Sequence, residues 1–183
     1  MKRIRLFIVA SLLFACNVSP EKKVDQNQAK FSTSADSRLF FKNVRQIYYD
    51  REIPENTELE VYRFGKRNLA TDKPVINLAL VNNWLHDEAY VIIEPSAFFD
   101  NMSSIEVEWQ DTGRKQSGVY RFTFGPKDNH FKFASEIYQS VIAKHKLLVY
   151  TEDKQWIELF QTDTDRDNFR KTMKDFYRLV NLM

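Results

Sequence analysis

Thiol and imidazole chemistry have little to work with in this chain, which holds one cysteine and three histidines in 183 residues. A lone thiol closes no internal disulfide and builds no cysteine-ligated metal site. His86, His130 and His145 do not stand at the i, i+4 spacing of a helical zinc pair. Glycine is scarce, with four residues, which disfavours a Gly-rich phosphate loop. No Gly-x-Ser-x-Gly elbow occurs. Neither sign of charge dominates, since 27 basic residues face 25 acidic ones. A basic stripe is the electrostatic footprint of nucleic-acid binders, so no nucleic-acid partner is expected. No metal and no cofactor are expected either.

Aromatic residues are what the chain has in quantity: 15 Phe, 8 Tyr and 3 Trp. The simplest account of them is a large aromatic core. The length suits one domain. At about 150 residues such a domain buries roughly 68–70% of its unfolded surface.

The N-terminus has its own grammar. Lys2, Arg3 and Arg5 precede an apolar run, Leu6 to Phe14, and Leu13-Phe14-Ala15-Cys16 closes it. A basic start, a short apolar stretch and a small residue before the cut are the parts of a secretory signal peptide. The run falls far short of the roughly 20 apolar residues that span a bilayer. With Cys16 directly after Ala15, the segment resembles the bacterial lipoprotein signal. Phe14 departs from that pattern, where a smaller residue is usual. The resemblance covers the first sixteen residues and implies that Cys16 is lipidated and becomes the mature N-terminus. It also implies a diacylglyceryl group plus an amide-linked chain, and two or more chains anchor stably at about 0.8 kcal/mol per buried methylene. Asn17, where an aspartate would suggest inner-membrane retention, points to the outer membrane. Loss of Lys2, Arg3 and Arg5 leaves 24 basic and 25 acidic residues, a net charge of −1. The apparent basic character therefore belongs to the segment removed, and lipidation uses up the only thiol.

Residues 16–37 carry Pro20, Glu21, Lys22, Lys23, Gln26, Asn27 and Gln28, then Ser32-Thr33-Ser34. With few apolar residues they read as a flexible tether spanning roughly 25 Å. The globular domain is expected from 38 to 183. Residues 39–50 fit both periods, and their β-branched and aromatic content favours a strand. Further strands are expected at 59–64, 75–81, 89–94, 105–110, 118–124, 147–150 and 156–160. Helical spacing marks about 129–143 and 164–181. Strands cluster first and helices later, so the expectation is an α+β fold, one antiparallel, meander-like sheet of six to eight strands packed by two helices.

The candidate ligand-binding residues are Asn82, Asn83, Trp84 and His86, read as a loop joining two strands. Amides, an indole and an imidazole offer a stacking platform with directional donors and acceptors, suited to sugars or peptides. The plainer reading is a hairpin turn made by the Asn residues, with Trp84 folded back onto the core. Asp163, Asp165 and Asp167 alternate like the opening of a calcium loop, but Asn168 and Lys174 break the pattern, so the acids are expected at a helix N-terminus instead. Glu106 with Glu108, or Asp87 with Glu88, supply paired carboxylates for glycoside hydrolysis if they converge across a cleft. Glu106 and Glu108 lie on one strand face that alternation marks as solvated. Arg45 and Arg63 are expected to pair with Glu60 or Glu94. The leading expectation is a non-catalytic, lipid-anchored interaction or accessory module of the cell envelope. Its partners would be the membrane through Cys16 and an envelope protein or glycan. A glycan- or lipid-ligand carrier and a carboxylate hydrolase are the alternatives.

Overall fold

The computed structural model describes residues 30–100, 102–151 and 155–183. The signal segment, Cys16 and residues 16–29 of the expected tether lie outside them. The fold is α+β, with eight described strands divided between two antiparallel sheets of four.

The first sheet is a meander, β1 (Tyr49–Glu52), β2 (Leu59–Phe64), β3 (Ile76–Asn83) and β4 (Glu88–Pro95), paired in that order. The second holds β5 (Ile105–Asp111), β6 (Gln116–Phe122), β7 (Lys146–Tyr150) and β8 (Trp156–Glu158), in the order β6-β5-β7-β8. Among the described residues three α-helices complete it: α1 (Ala35–Phe40), α2 (Lys127–Ile142) and α3 (Asp163–Leu179). α2 packs against both β4 and β6, and α3 against β3, β4 and α2. One aromatic core lies between the sheets and these helices, with Tyr62, Phe122, Phe131, Phe133, Tyr138, Phe176 and Tyr177 fully buried. Tyr138 and Tyr177 meet edge-on at 5.2 Å, and the Tyr177 hydroxyl donates to Ser135 Oγ at 3.0 Å.

A single continuous sheet does not form, because the free edge of β4 is already occupied. The Ala89 N–H donates to the Phe31 carbonyl and the Thr33 N–H to the Asp87 carbonyl, both at 2.8 Å. Further along, the Ile93 N–H donates to His130 Nδ1 at 3.0 Å. Residues 31–33 and His130 of α2 thus occupy positions along the outer edge of β4, and β5 pairs with β6 and β7 instead.

Two expectations for the start of the domain are corrected. Residues 30–37 of the expected tether belong to the folded body, since Phe31 packs edge-on to Phe131 at 5.9 Å and Ser32 bridges Glu88. Residues 39–48 are helical rather than extended: α1 runs on through a π-helical turn (Phe41–Arg45) and a 3₁₀ turn (Gln46–Tyr48). Ser34 starts the helix through a reciprocal cap, its hydroxyl accepting from the Ser37 N–H at 3.2 Å while Ser37 Oγ accepts from the Ser34 N–H at 3.0 Å. Ser37 Oγ then donates to the Leu179 carbonyl at 2.7 Å, fixing α1 to the end of α3. Capping and this anchor outweigh the strand propensity of the apolar residues, most of which gain no burial here. Only Phe41 turns inward, against Tyr62 and Tyr49, while Leu39, Phe40, Val44, Ile47 and Tyr48 stay exposed.

Candidate functional site

Asn82 and Asn83 are the last residues of β3, and the turn proper is 84–87, with Asp87 in the left-handed region at φ 50°. The expectation of a loop over 82–86 is corrected for its first two members. Strand alternation separates them. Asn82 faces inward with Leu80 and Leu78, opposite Glu60 and Ala89, whereas Asn83 points to the other face. Trp84 is 51% exposed and is not folded into the core. His86 is exposed on the turn.

Asn82 and Trp84 border a cleft of about 500 Å³ between α1 and the inward face of β1–β3. Its helix side is Ala35, Arg38, Leu39 and Lys42, its sheet side Arg51, Glu60, Tyr62 and Asn82, and Trp84 stands at the lip. Asn83 and His86 take no part in it. The floor is built round Glu60, which is 7% exposed. Its carboxylate pairs with Arg51, accepts from the Tyr62 hydroxyl at 2.9 Å and accepts from Asn82 Nδ2 at 3.1 Å. Burial alone would push Glu60 upward, but hydrogen bonds from Asn82, Tyr62 and Arg51 outweigh it and hold the carboxyl below its ordinary range. Burial, then the neighbouring Glu60, pushes the Tyr62 phenol well above its ordinary range.

These contacts fix the orientation of Asn82. An ionised carboxylate only accepts, so the amide must turn Nδ2 toward Glu60 and leave Oδ1 as the other end. That Oδ1 is buried and has no hydrogen-bond partner among the described residues. An unsatisfied buried acceptor costs about 1–3 kcal/mol. Lys42 has no ion pair among the described residues, while Arg38 is held by Asp87 at 2.6 Å and by Thr33 at 2.7 Å. The cleft thus combines a polar floor, cationic walls and an indole. Among its lining residues Glu60 is the one carboxylate, held by Arg51, Tyr62 and Asn82, so the cleft does not bring together the paired carboxylates that glycoside hydrolysis needs.

Sequence reasoning missed Glu60, Arg51 and Tyr62 as members of the site. One signal was readable: Glu60 shares strand parity with Tyr62 and Phe64, a charged residue in an inward register. Arg51, on β1, becomes relevant only through its pairing with Tyr62.

The other candidates separate cleanly. Glu106 lies on the outward face of β5 and pairs with Arg121 at 2.6 Å, and Glu108 accepts from Gln110 at 2.9 Å. Asp87 pairs with Arg38, and Glu88 with Lys127. Asp163 opens α3, where Thr162 caps the Asp165 N–H at 3.1 Å, and Asp167 pairs with Lys171 at 2.6 Å. Among the described residues no group of three or more His, Cys, Asp or Glu is placed to hold a metal. Arg63 meets Glu94 at 2.8 Å as expected, but Arg45 meets Asp175 at 2.8 Å and neither expected carboxylate.

One juxtaposition was invisible in sequence. Ser140 Oγ lies 3.1 Å from His145 Nδ1, and His145 Nε2 lies 3.9 Å from Asp111. The composition is that of a hydrolase triad, but Ser140 is wholly buried in the last turn of α2. The His145 N–H closes that helix on the Ser140 carbonyl at 2.9 Å, with Lys144 left-handed at φ 59°. Asp111 meanwhile accepts from the backbone of Gly113 and Arg114 in the β5–β6 turn. The three residues tie a helix end to the second sheet.

No protein-family model, curated protein or solved structure matches this chain. The functional reading therefore rests on the residues and their geometry.

Proposed function

We propose that the chain is a lipid-anchored accessory module of the bacterial cell envelope, carried by Cys16 at the outer membrane, which binds a polyhydroxylated ligand such as a glycan segment in the Trp84 cleft without transforming it. The observation that supports this most is the exposed indole of Trp84 at the lip of a cleft with a polar floor of Glu60, Tyr62 and Asn82 and cationic side chains on its walls. A pyranose face stacks on Trp84, and Arg51 and Lys42 donate to ring or acidic oxygens. The volume of about 500 Å³ lies within the range of small-ligand sites, roughly 300–1,000 Å³.

Calorimetric titration of the wild-type protein and Trp84→Ala with oligosaccharides released from the envelope tests the reading. Saturable binding that weakens about ten-fold in Trp84→Ala, equivalent to about 1.4 kcal/mol, is expected. Absence of heat for the wild type, or identical binding by the variant, would contradict it. Because Trp84 is half exposed, its removal leaves stability within about 0.5 kcal/mol, so loss of binding is not loss of fold.

A further inference from the structure

A second cleft, of about 700 Å³, opens between the last turn of α2, the β5–β6 hairpin and α3. It shares no lining residue with the Trp84 cleft. Its apolar lining is Val141, Ile142 and Ala143 at the end of α2, with Tyr120 of β6. The floor is fixed by a chain of contacts. The Tyr120 hydroxyl lies 2.9 Å from Ser140 Oγ, Ser140 Oγ lies 3.1 Å from His145 Nδ1, and the His145 ring stacks on Trp109 at 4.9 Å. Charge sets this cleft apart. Arg114, Lys144 and Arg170 line it and no carboxylate does, in a chain whose basic and acidic residues nearly balance. The carbonyl end of α2 gives a reason for one cation, since a helix C-terminus carries partial negative charge. It does not account for three drawn from separate elements: Arg114 from the β5–β6 turn, Lys144 from the chain after α2, and Arg170 from α3. Asp167 holds Arg170 at 2.7 Å. Arg114 lies 3.8 Å from Asp111 with 80% of its side chain in solvent, and the exposed Lys144 has no ion pair among the described residues.

We infer that this cleft binds a compact organic acid, one anionic group on an apolar body. Arg114 and Lys144 meet the anionic group, and Tyr120, Val141 and Ile142 cover the apolar body. Arginine offers a planar fork to a carboxylate or sulfonate, and lysine a point charge on a flexible stem. The volume lies within the range of small-ligand sites, roughly 300–1,000 Å³. Arg114, Ala143 and Lys144 are exposed, so the cleft opens to solvent. A compact acid is covered there, whereas a long acyl chain leaves most of its length in water. The inference stands apart from both the anchor and the Trp84 cleft.

Photolabelling with benzophenone-4-carboxylate tests it, with benzophenone-4-carboxamide as the neutral counterpart of nearly the same shape. The full chain, isolated from membranes in a neutral detergent, is irradiated with sub-saturating probe, and the labelled peptides are mapped by mass spectrometry. The carboxylate is expected to label residues 114–120 and 139–145, and the amide to label them several-fold less. Lys144→Asn removes the charge yet keeps a residue that accepts the left-handed φ of 59°. Labelling of these peptides then falls about five-fold, the upper end for an exposed ion pair. Arg114→Gln gives a similar fall without touching the end of α2. Both are surface changes, so unaltered thermal unfolding separates loss of binding from loss of fold. Equal labelling by carboxylate and amide overturns the inference. So does labelling unchanged in both variants, or labelling that falls on the residues of the Trp84 cleft instead.

Discussion

Glu60 shows how one charged residue organises the cleft. Its carboxylate is buried with three donors, so Glu60→Ala strands the Tyr62 hydroxyl, Asn82 Nδ2 and Arg51 at once. Arg51 keeps 38% of its side chain in solvent and recovers part of its hydration. The expected loss, read from urea unfolding, is about 2–3 kcal/mol. The sign of the pH dependence follows from its lowered pKa: the carboxylate's contribution is present above the unfolded-state value and fades as pH falls through the folded one. His130 acts in the same direction for a different reason. Burial holds its imidazole below the ordinary 6.5, with a hydrogen bond to the Gly125 backbone opposing. Between the two values the unfolded chain binds more protons, so stability falls on acidification through that window. His130→Asn keeps a side-chain acceptor for the Ile93 N–H but cannot titrate. Between about pH 7 and pH 5 its urea midpoint falls less than that of the wild type. At this scale the sequence was partly legible. Trp84 and Asn82 stood out by type, whereas Arg51 reaches Glu60 only through a cross-strand register that no local pattern encodes.

Among the elements, the strands and the two long helices were readable because their periods are strong. β5 alternates Ile105, Val107 and Trp109 inward against Glu106, Glu108 and Gln110, and α3 buries Phe169, Met173 and Phe176 on one face. Residues 39–48 were not, because their apolar residues answer to no core face: most of the stripe is turned outward, so hydrophobic pattern and burial part company. What fixes this segment is long-range. Asp175 of α3 accepts from Arg45 Nε at 2.8 Å and from the Tyr49 hydroxyl at 2.8 Å, joining residues far apart in sequence. Asp175 is 3% exposed, so Asp175→Ala leaves Arg45 and Tyr49 without their acceptor and costs about 2–4 kcal/mol. Asp167→Ala, which breaks half-exposed pairs on the same helix, costs under about 1 kcal/mol. Parallel denaturation curves of the two variants check the contrast. The split into two sheets was likewise hidden, since the backbone bonds of residues 31–33 and His130 on β4 involve no pattern within β4 itself.

For the whole molecule, the proposed anchor carries a charge consequence: cleavage before Cys16 removes Lys2, Arg3 and Arg5 and brings 27 basic against 25 acidic residues to 24 against 25, so the cationic side chains of the cleft wall are a local feature and not part of a basic surface. The proposed function requires that the chain is held from Cys16. Mass spectrometry of the N-terminal peptide, from protein extracted from its own membrane, tests this most directly. The account predicts a peptide that begins at Cys16 and carries a diacylglyceryl group with an amide-linked acyl chain. A peptide running unmodified through Ala15-Cys16, or one beginning elsewhere with Cys16 as a free thiol, would contradict it.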